Sequence, residues 1–426
     1  MRVLLNLGFS VALLCLVVFA DHEGKKQDHN HDHEKKGDHH DHDHHHDNEH
    51  HSHADKILSV DKIKVGNKKF AFDLFSKVVA DHPEENVVFS PVSISISLGF
   101  LSLGAEGRTN DQIVEGMGFN VSETPKKDID DGFRNLQEML NDDKRELHLD
   151  SGNGLFVSQA WKIKDDFLGK AKNLGSEAFT VNFEENEGAK KQINDYVEKN
   201  THGKIVDVLS NVDKQAALIY VNFIYFRGKW EKPFDEKYTK EGDFHVNKDL
   251  TVKVPFMSQT GFYKVAELDE ATVISVPYKG NASALFILPK EGKMKEVESH
   301  QEDILWKYKS QCHRDLVDLS IPKFTVAGDV DLKQVLPKMG IVDLFSNSAD
   351  LSGITGAPDL KISQAVHKAK INVDEKGTEA AGATVMEAVP MRLPVQIRLN
   401  HPFSFLIYDH ETRSTLFMGK IVNPKN

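Results

Sequence analysis

The spacing of hydrophobic positions changes several times along the chain, and each change marks an element. Ala71, Leu74, Phe75, Val78 and Val79 recur at the three-and-four spacing of an amphipathic helix, which His82-Pro83 ends. Residues 86–90 read as a short buried strand. Residues 93–103 return to helix and are apolar apart from small residues, with Ser93, Ser95, Ser97 and Ser102 among them. Serines on a helix that must be buried let a neighbouring backbone come close. A turn at 104–109 leads into a mixed helical region to about Leu147. Residues 151–157 lead into a strand, and 190–199 are helical. Residues 217–226 form a continuous apolar run interrupted by Asn222, the pattern of a strand buried on both faces. More strands follow, punctuated by Pro255, Pro277 and Pro289. Residues 321–326 read as another strand, and 371–374 as the end of one. One large α+β domain over 57–426 accommodates this order.

Residues 375–392 depart from the pattern. From Thr378 to Ala383 every residue except Glu379 is small, so nothing there anchors the segment in a core and it must ride exposed. Thr378, Ala380, Gly382 and Thr384 alternate with the rest, so in a strand they share one face. That composition suits a loop able to become a strand. A merely small and polar surface loop is the alternative that these residues leave open.

The first 56 residues differ from the rest. Arg2, the apolar run from Val3 to Phe19 and the small-residue site Val18-Phe19-Ala20 predict a secretory signal over 1–20, cut before Asp21. The run is short, is interrupted by Asn6 and Ser10, and leads into a very polar segment, which opposes a membrane anchor. Residues 21–56 are a low-complexity tail. Of the 22 histidines in the chain, 13 lie between His22 and His53, interleaved with Asp. Nothing in the tail builds a core, so disorder is expected. Three readings stay open: a chelate for zinc or copper through His29, His31, His33 and His44, His45, His46; a solvated tail; and a segment that gains charge as pH falls through about 6.5.

Of two cysteines, Cys15 leaves with the signal. Cys312 remains as a buried hydrophobe or a free thiol, and the secreted chain has no internal disulfide. Its stability must then come from a large core, which residues 57–426 are long enough to supply. The net charge of −12 argues against nucleic acid as a partner. Asn120-Val-Ser122 and Asn281-Ala-Ser283 are glycosylation sequons. No catalytic spacing emerges: there is no nucleophile elbow, no His-Glu-x-x-His, no phosphate loop and no Cys-x-x-Cys, so no enzyme and no cofactor are expected.

Glu375-Lys-Gly-Thr-Glu-Ala-Ala-Gly resembles the reactive-loop hinge of serpins, and Asn400-His-Pro-Phe-Ser-Phe-Leu-Ile with Leu416-Phe-Met-Gly-Lys-Ile-Val-Asn-Pro resembles the family's closing signature. The likeness extends back to about residue 57. It implies a large mixed central sheet with further sheets, eight or nine helices and an exposed reactive loop over about 375–397. It also implies a secreted, monomeric, irreversible inhibitor of extracellular serine proteases. Glu375, Gly377, Thr378, Ala380, Gly382 and Thr384 match the hinge. Ser90, Ser93, Asn222 and His367 match positions where the central sheet parts. Trp230 matches the top of that sheet, and Lys323 a lysine that pairs with the residue at Glu375. At an exposed loop base that pair contributes about 0–1 kcal/mol.

Family spacing places the bait residue at Met391, followed by Arg392. The choice between them is between an elastase-like target for Met391 and a trypsin-like target for Arg392. Related proteins usually carry a small residue where Arg392 stands. Heparin-binding members carry basic residues in the region of Lys126 and Lys127, but here Asp128, Asp130 and Asp131 follow, so heparin is not expected. A non-inhibitory carrier on the same fold, and a metal reservoir in which only the tail acts, are the competing functions. The resemblance does not extend to the tail.

Overall fold

The structure, a computed structural model, describes residues 45–377 and 393–426, with side chains from His53 onward. The signal segment, His29, His31, His33 and His44, and the loop positions Thr378, Ala380, Gly382, Thr384, Met391 and Arg392 lie outside the described residues; of His45 and His46 only the backbone is described. The helices are α1 (His45–Asp61), α2 (Lys64–Asp81), α3 (Pro91–Ser102), α4 (Gly107–Gly116), α5 (Lys126–Leu140), α6 (Asp165–Asn173), α7 (Asn186–Asn200), α8 (Met294–Ser299), α9 (Gln301–Gln311), α10 (Leu332–Val335) and α11 (Ser352–Thr355). The strands are β1 (Val87–Phe89), β2 (His148–Ser158), β3 (Ser176–Val181), β4 (Leu218–Arg227), β5 (Lys240–His245), β6 (Thr251–Glu267), β7 (Ala271–Tyr278), β8 (Ala282–Pro289), β9 (His313–Pro322), β10 (Phe324–Asp331), β11 (Gln364–Val373), β12 (Val395–Arg398), β13 (Phe403–Asp409) and β14 (Ser414–Ile421). The class is α+β. Among the described residues there are eleven α-helices, two of which, α10 and α11, are four-residue turns.

Five strands form a mixed sheet in the order β10-β11-β4-β2-β3, in which β11 runs parallel to β4 and β2 parallel to β3. The other nine form a second sheet, β1-β14-β13-β8-β7-β6-β9-β12 with β5 also on β6. The five-stranded sheet is covered on both sides. One face joins the main core with Tyr220, Ile224 and Phe226. The other packs Ile219, Val221 and Phe223 against Ile193 and Val197 of α7. This is why 217–226 reads as a continuous apolar run: β4 is buried along its first nine residues.

Helix α3 is buried over its whole length. It starts where it does because Ser90 caps it, accepting from the Ser93 N–H at 3.2 Å, with Pro91 in the first turn.

Three expectations are corrected. Residues 321–326 are not one strand. The chain leaves the nine-stranded sheet at Pro322 and enters the five-stranded sheet at Phe324, with the Lys323 N–H donating to the Pro255 carbonyl at 2.9 Å. Pro255 and Pro277 lie inside β6 and β7 and do not separate strands. Pro277 sits beyond the β6–β7 pairing, which stops at Ser275, and there its carbonyl accepts from the Glu231 N–H at 2.9 Å. Regular structure also starts before Ile57, since α1 begins at His45. The apolar pattern does not show this, because the start of α1 is held by polar contacts, Lys56–Glu138 at 2.9 Å and His53–Glu411 at 3.4 Å, with Asp61–Arg413 at 3.0 Å at its end. Its end nevertheless reaches the core through Val60.

Candidate functional site

Strands β11 and β4 pair in parallel from Gln364↔Ile219 to Lys370↔Tyr225, and there the pairing stops. Beyond it β11 continues to Val373 and β4 to Arg227. The two strands therefore define a seam with an unpaired mouth, and the chain leaving β11 at that mouth is the segment 374–377.

A buried polar cluster crosses the seam lower down. His367 of β11 lies opposite Asn222 of β4, which lies opposite Asn153 of β2. His367 Nε2 accepts from the Ser90 N–H at 3.0 Å, so Nδ1 carries the ring proton and donates to Asn222 Oδ1. Asn222 Nδ2 donates to Ser93 Oγ at 2.9 Å and to Asn153 Oδ1 at 2.7 Å. Tyr220 donates to the same Asn153 oxygen at 2.8 Å, and Asn153 Nδ2 to Ser176 Oγ at 3.2 Å. Each of these groups is buried. Parting the seam breaks the His367–Asn222 bond and leaves both ends in a core, where an unmade hydrogen bond costs about 1–3 kcal/mol. The structure thus brings together Ser90, Ser93, Asn222 and His367.

Asn153, Tyr220 and Ser176 belong to the same cluster and were not picked out from the sequence. Asn153 carries the signal that exposed Asn222, a polar residue in a strand, but its flanking glycines obscure the run.

Burial away from any charged partner pushes His367 down from its ordinary value to about 3. Unfolded, the ring titrates near 6.5, so between the two values the unfolded chain binds the extra proton. This contribution to stability is complete above about pH 6.5 and is lost as pH falls towards 3. At about 1.4 kcal/mol per unit it amounts to a few kcal/mol. Thermal unfolding measured at pH 7.5 and pH 5 should show the parent losing stability more steeply than His367→Gln. Equal slopes would show that the ring does not titrate with folding.

At the mouth, Trp230 is buried and stacks on Tyr278 with ring centres 4.1 Å apart. Its indole Nε1 donates to the Asp374 carbonyl at 2.8 Å, and its backbone N–H to the Lys376 carbonyl at 3.3 Å. Gly377 adopts φ +93° and lies against Lys229; a side-chain carbon there would meet the Gly228 carbonyl at 2.4 Å, so only glycine fits.

Glu375 corrects the expectation of an exposed pair. Its side chain is buried, 2.9 Å from Lys323 Nζ, and accepts from Thr239 Oγ1 at 2.7 Å. Its own carbonyl accepts from the Phe234 N–H at 2.8 Å. Burial raises the carboxyl, but the hydrogen bonds from Lys323 and Thr239 outweigh it and hold the group below its ordinary value. Hydrogen bonds to a charged group contribute about 1.5–3 kcal/mol each, well above an exposed ion pair. The segment 374–377 is thus clamped up to Gly377.

Asn120 and Asn281 are exposed. Asn120 accepts from the Ser122 N–H and hydroxyl, and Asn281 sits at φ +62° in the β7–β8 turn. Cys312 is a half-buried free thiol at the end of α9. Among the described residues no cluster of three His, Cys, Asp or Glu is placed to hold a metal, and no helix is long and apolar enough to cross a membrane.

The sequence profile of the family described as "Serpin (serine protease inhibitor)" matches residues 65–424. Alpha-1-antiproteinase of Callosciurus caniceps is 47% identical over 85% of this chain and 89% of its own length. Alpha-1-antiproteinase of Ovis aries is 46% identical over 85% and 88%. Among solved structures, human thyroxine-binding globulin superposes with a TM-score of 0.81 at 39% identity, over 86% of this chain and 99% of that one. Mouse protein-Z dependent protease inhibitor gives 0.80 at 29% identity, over 87% and 99%. With its seam, its clamped segment 374–377 and its closing motifs in the matched order, the chain belongs to the serpin family of serine protease inhibitors and is not an enzyme.

Proposed function

We propose that this protein is a secreted, irreversible suicide-substrate inhibitor of serine proteases. The observation that carries the reading is the seam: a parallel pair with an unpaired mouth, from which the chain leads directly into the small-residue segment 378–384. The protease serine attacks the carbonyl carbon of the bait residue. The peptide bond after it breaks, the new amine takes the proton, and the inhibitor is left as an ester on the protease. The freed loop then enters between β11 and β4 as an added strand and carries the protease with it. Serpin loop insertion is a known instance of strand addition to a sheet.

The test is to mix the protein with elastase, chymotrypsin and trypsin and look for a complex that survives boiling in detergent. Its absence with all three, with the loop cut, would favour a carrier. The relative thyroxine-binding globulin is named for a bound ligand. In this chain, however, Thr378, Ala380, Gly382 and Thr384 carry no proline or charge at the inward positions.

Met391 is the bait residue in this reading. It is unbranched and apolar and suits an elastase-like pocket. Pro390 biases Val389 towards extended geometry. The C-terminal fragment released from the complex should begin at Arg392. A fragment beginning at Leu393, with trypsin trapped faster than elastase, would move the bait to Arg392. The exposure of Asn120 and Asn281 supports both as glycan sites.

A further inference from the structure

The chain that leaves α7 crosses the outer face of the five-stranded sheet. It does so through three left-handed residues, His202 (φ +51°), Gly203 (φ +75°) and Asp207 (φ +50°). Beneath it, Asp150 of β2, Tyr225 of β4 and Lys370 of β11 are successive register partners and form one lateral row. The crossing segment touches every member of that row. His202 Nδ1 lies 3.5 Å from Asp150, which Arg227 also holds at 3.0 Å. Lys204 Nζ stands 5.9 Å above the Tyr225 ring. The Lys204 carbonyl accepts from Lys370 Nζ at 2.9 Å. Lys204 therefore straddles the seam, with its side chain on β4 and its carbonyl on β11.

The position of this row matters. Lys370↔Tyr225 is the last pair of the β11–β4 ladder before the mouth, so it is the first that an incoming strand must part. Admitting a strand moves β11 away from β4 by one strand spacing, about 4.8 Å. A strap held at Asp150, Tyr225 and Lys370 cannot follow both strands, and the Lys370 contact is the one on the far side of the gap. We infer that Lys370, bound to the Lys204 carbonyl, is a latch on the first row of the seam and sets the rate at which a strand enters. This rests on the insertion reading proposed above and adds a positioning residue to it.

The test uses Lys370→Met, which removes the donor, and Lys370→Arg, which keeps it. The probe is a synthetic peptide with the sequence of residues 378–391, added to the intact protein. Its incorporation is followed by the rise in thermal stability with time. Deuterium exchange at the backbone amides of 365–371 and 202–205 is measured in the absence of peptide. Lys370→Met should take up the peptide roughly fivefold faster than the parent, the rate equivalent of one net hydrogen bond, and its seam amides should exchange faster. Lys370→Arg should stay close to the parent in both, which a general loss of packing would not produce. Unchanged uptake and exchange in Lys370→Met, or an Arg variant that behaves like Met, would overturn the latch. If the peptide enters none of the three proteins, the insertion reading fails, and the exchange rates alone then decide the latch.

Discussion

Cutting the loop once, between residues 378 and 392, should make this protein markedly harder to unfold. In the proposed mechanism the cut segment enters the seam between β11 and β4, which pair directly from Gln364↔Ile219 to Lys370↔Tyr225. An inserted strand gains backbone hydrogen bonds on both sides, a dozen or more at roughly 1 kcal/mol net each, or on the order of 10 kcal/mol. In a domain of this size that corresponds to a rise in Tm of about 10–20 °C or more. The intact protein is then held by a barrier, away from its lowest state. On that reading the barrier includes the Glu375 clamp, the Trp230–Asp374 bond, the His367–Asn222 bond across the seam and the Lys370 latch. Scanning calorimetry before and after limited proteolysis in the loop gives the answer. Equal melting of cut and intact protein would end the insertion mechanism for this chain.

The second large effect is expected from Thr378→Arg. Gly377 pairs with Lys229, so on the proposed reading Thr378, the next residue, is the first whose side chain is buried as the loop enters. The strand it joins offers no relief, because β4 is buried along its first nine residues. An unpaired guanidinium there costs several kcal/mol, and each 1.4 kcal/mol slows a step about tenfold. Insertion should then fall more than about a hundredfold behind hydrolysis of the ester. The protease should still cut the loop but leave active, with cleaved protein accumulating and the detergent-stable complex lost. A complex yield equal to the parent's would show that the insertion register assigned to the hinge is wrong.

What could be read ahead of the structure follows a physical division. Helix α2 and strand β4 were legible because their pattern is local: apolar residues at helical spacing in one, an unbroken apolar run in the other. Asn222 stood out for the same reason, as a polar residue within that run. Asn153 lies in the same buried cluster but sits between Gly152 and Gly154, in a stretch that only leads into a strand, so no apolar run sets it off. The break at Lys323 was not legible either. The apolar positions change phase across it, from Leu319 and Ile321 to Phe324 and Val326, but over so short a stretch that only the pairing partners reveal that the chain has changed sheets.

Glu375 shows the limit most clearly. Its neighbours in sequence are Asp374 and Lys376, which suggest an exposed loop base. Its partners are Lys323 and Thr239, and Phe234 holds its carbonyl; these are brought in from distant parts of the chain by β5, the β9–β10 link and the turn after Trp230. The sequence by itself determined the class, the order of most elements, the small-residue hinge and the family motifs, because these depend on period and local composition. Tertiary structure alone decided which strands meet at the seam, where their pairing ends, that Glu375 is buried, and that Lys204 lies across the Tyr225–Lys370 row. Those facts depend on register and on long-range contact, which residues near one another in sequence do not encode.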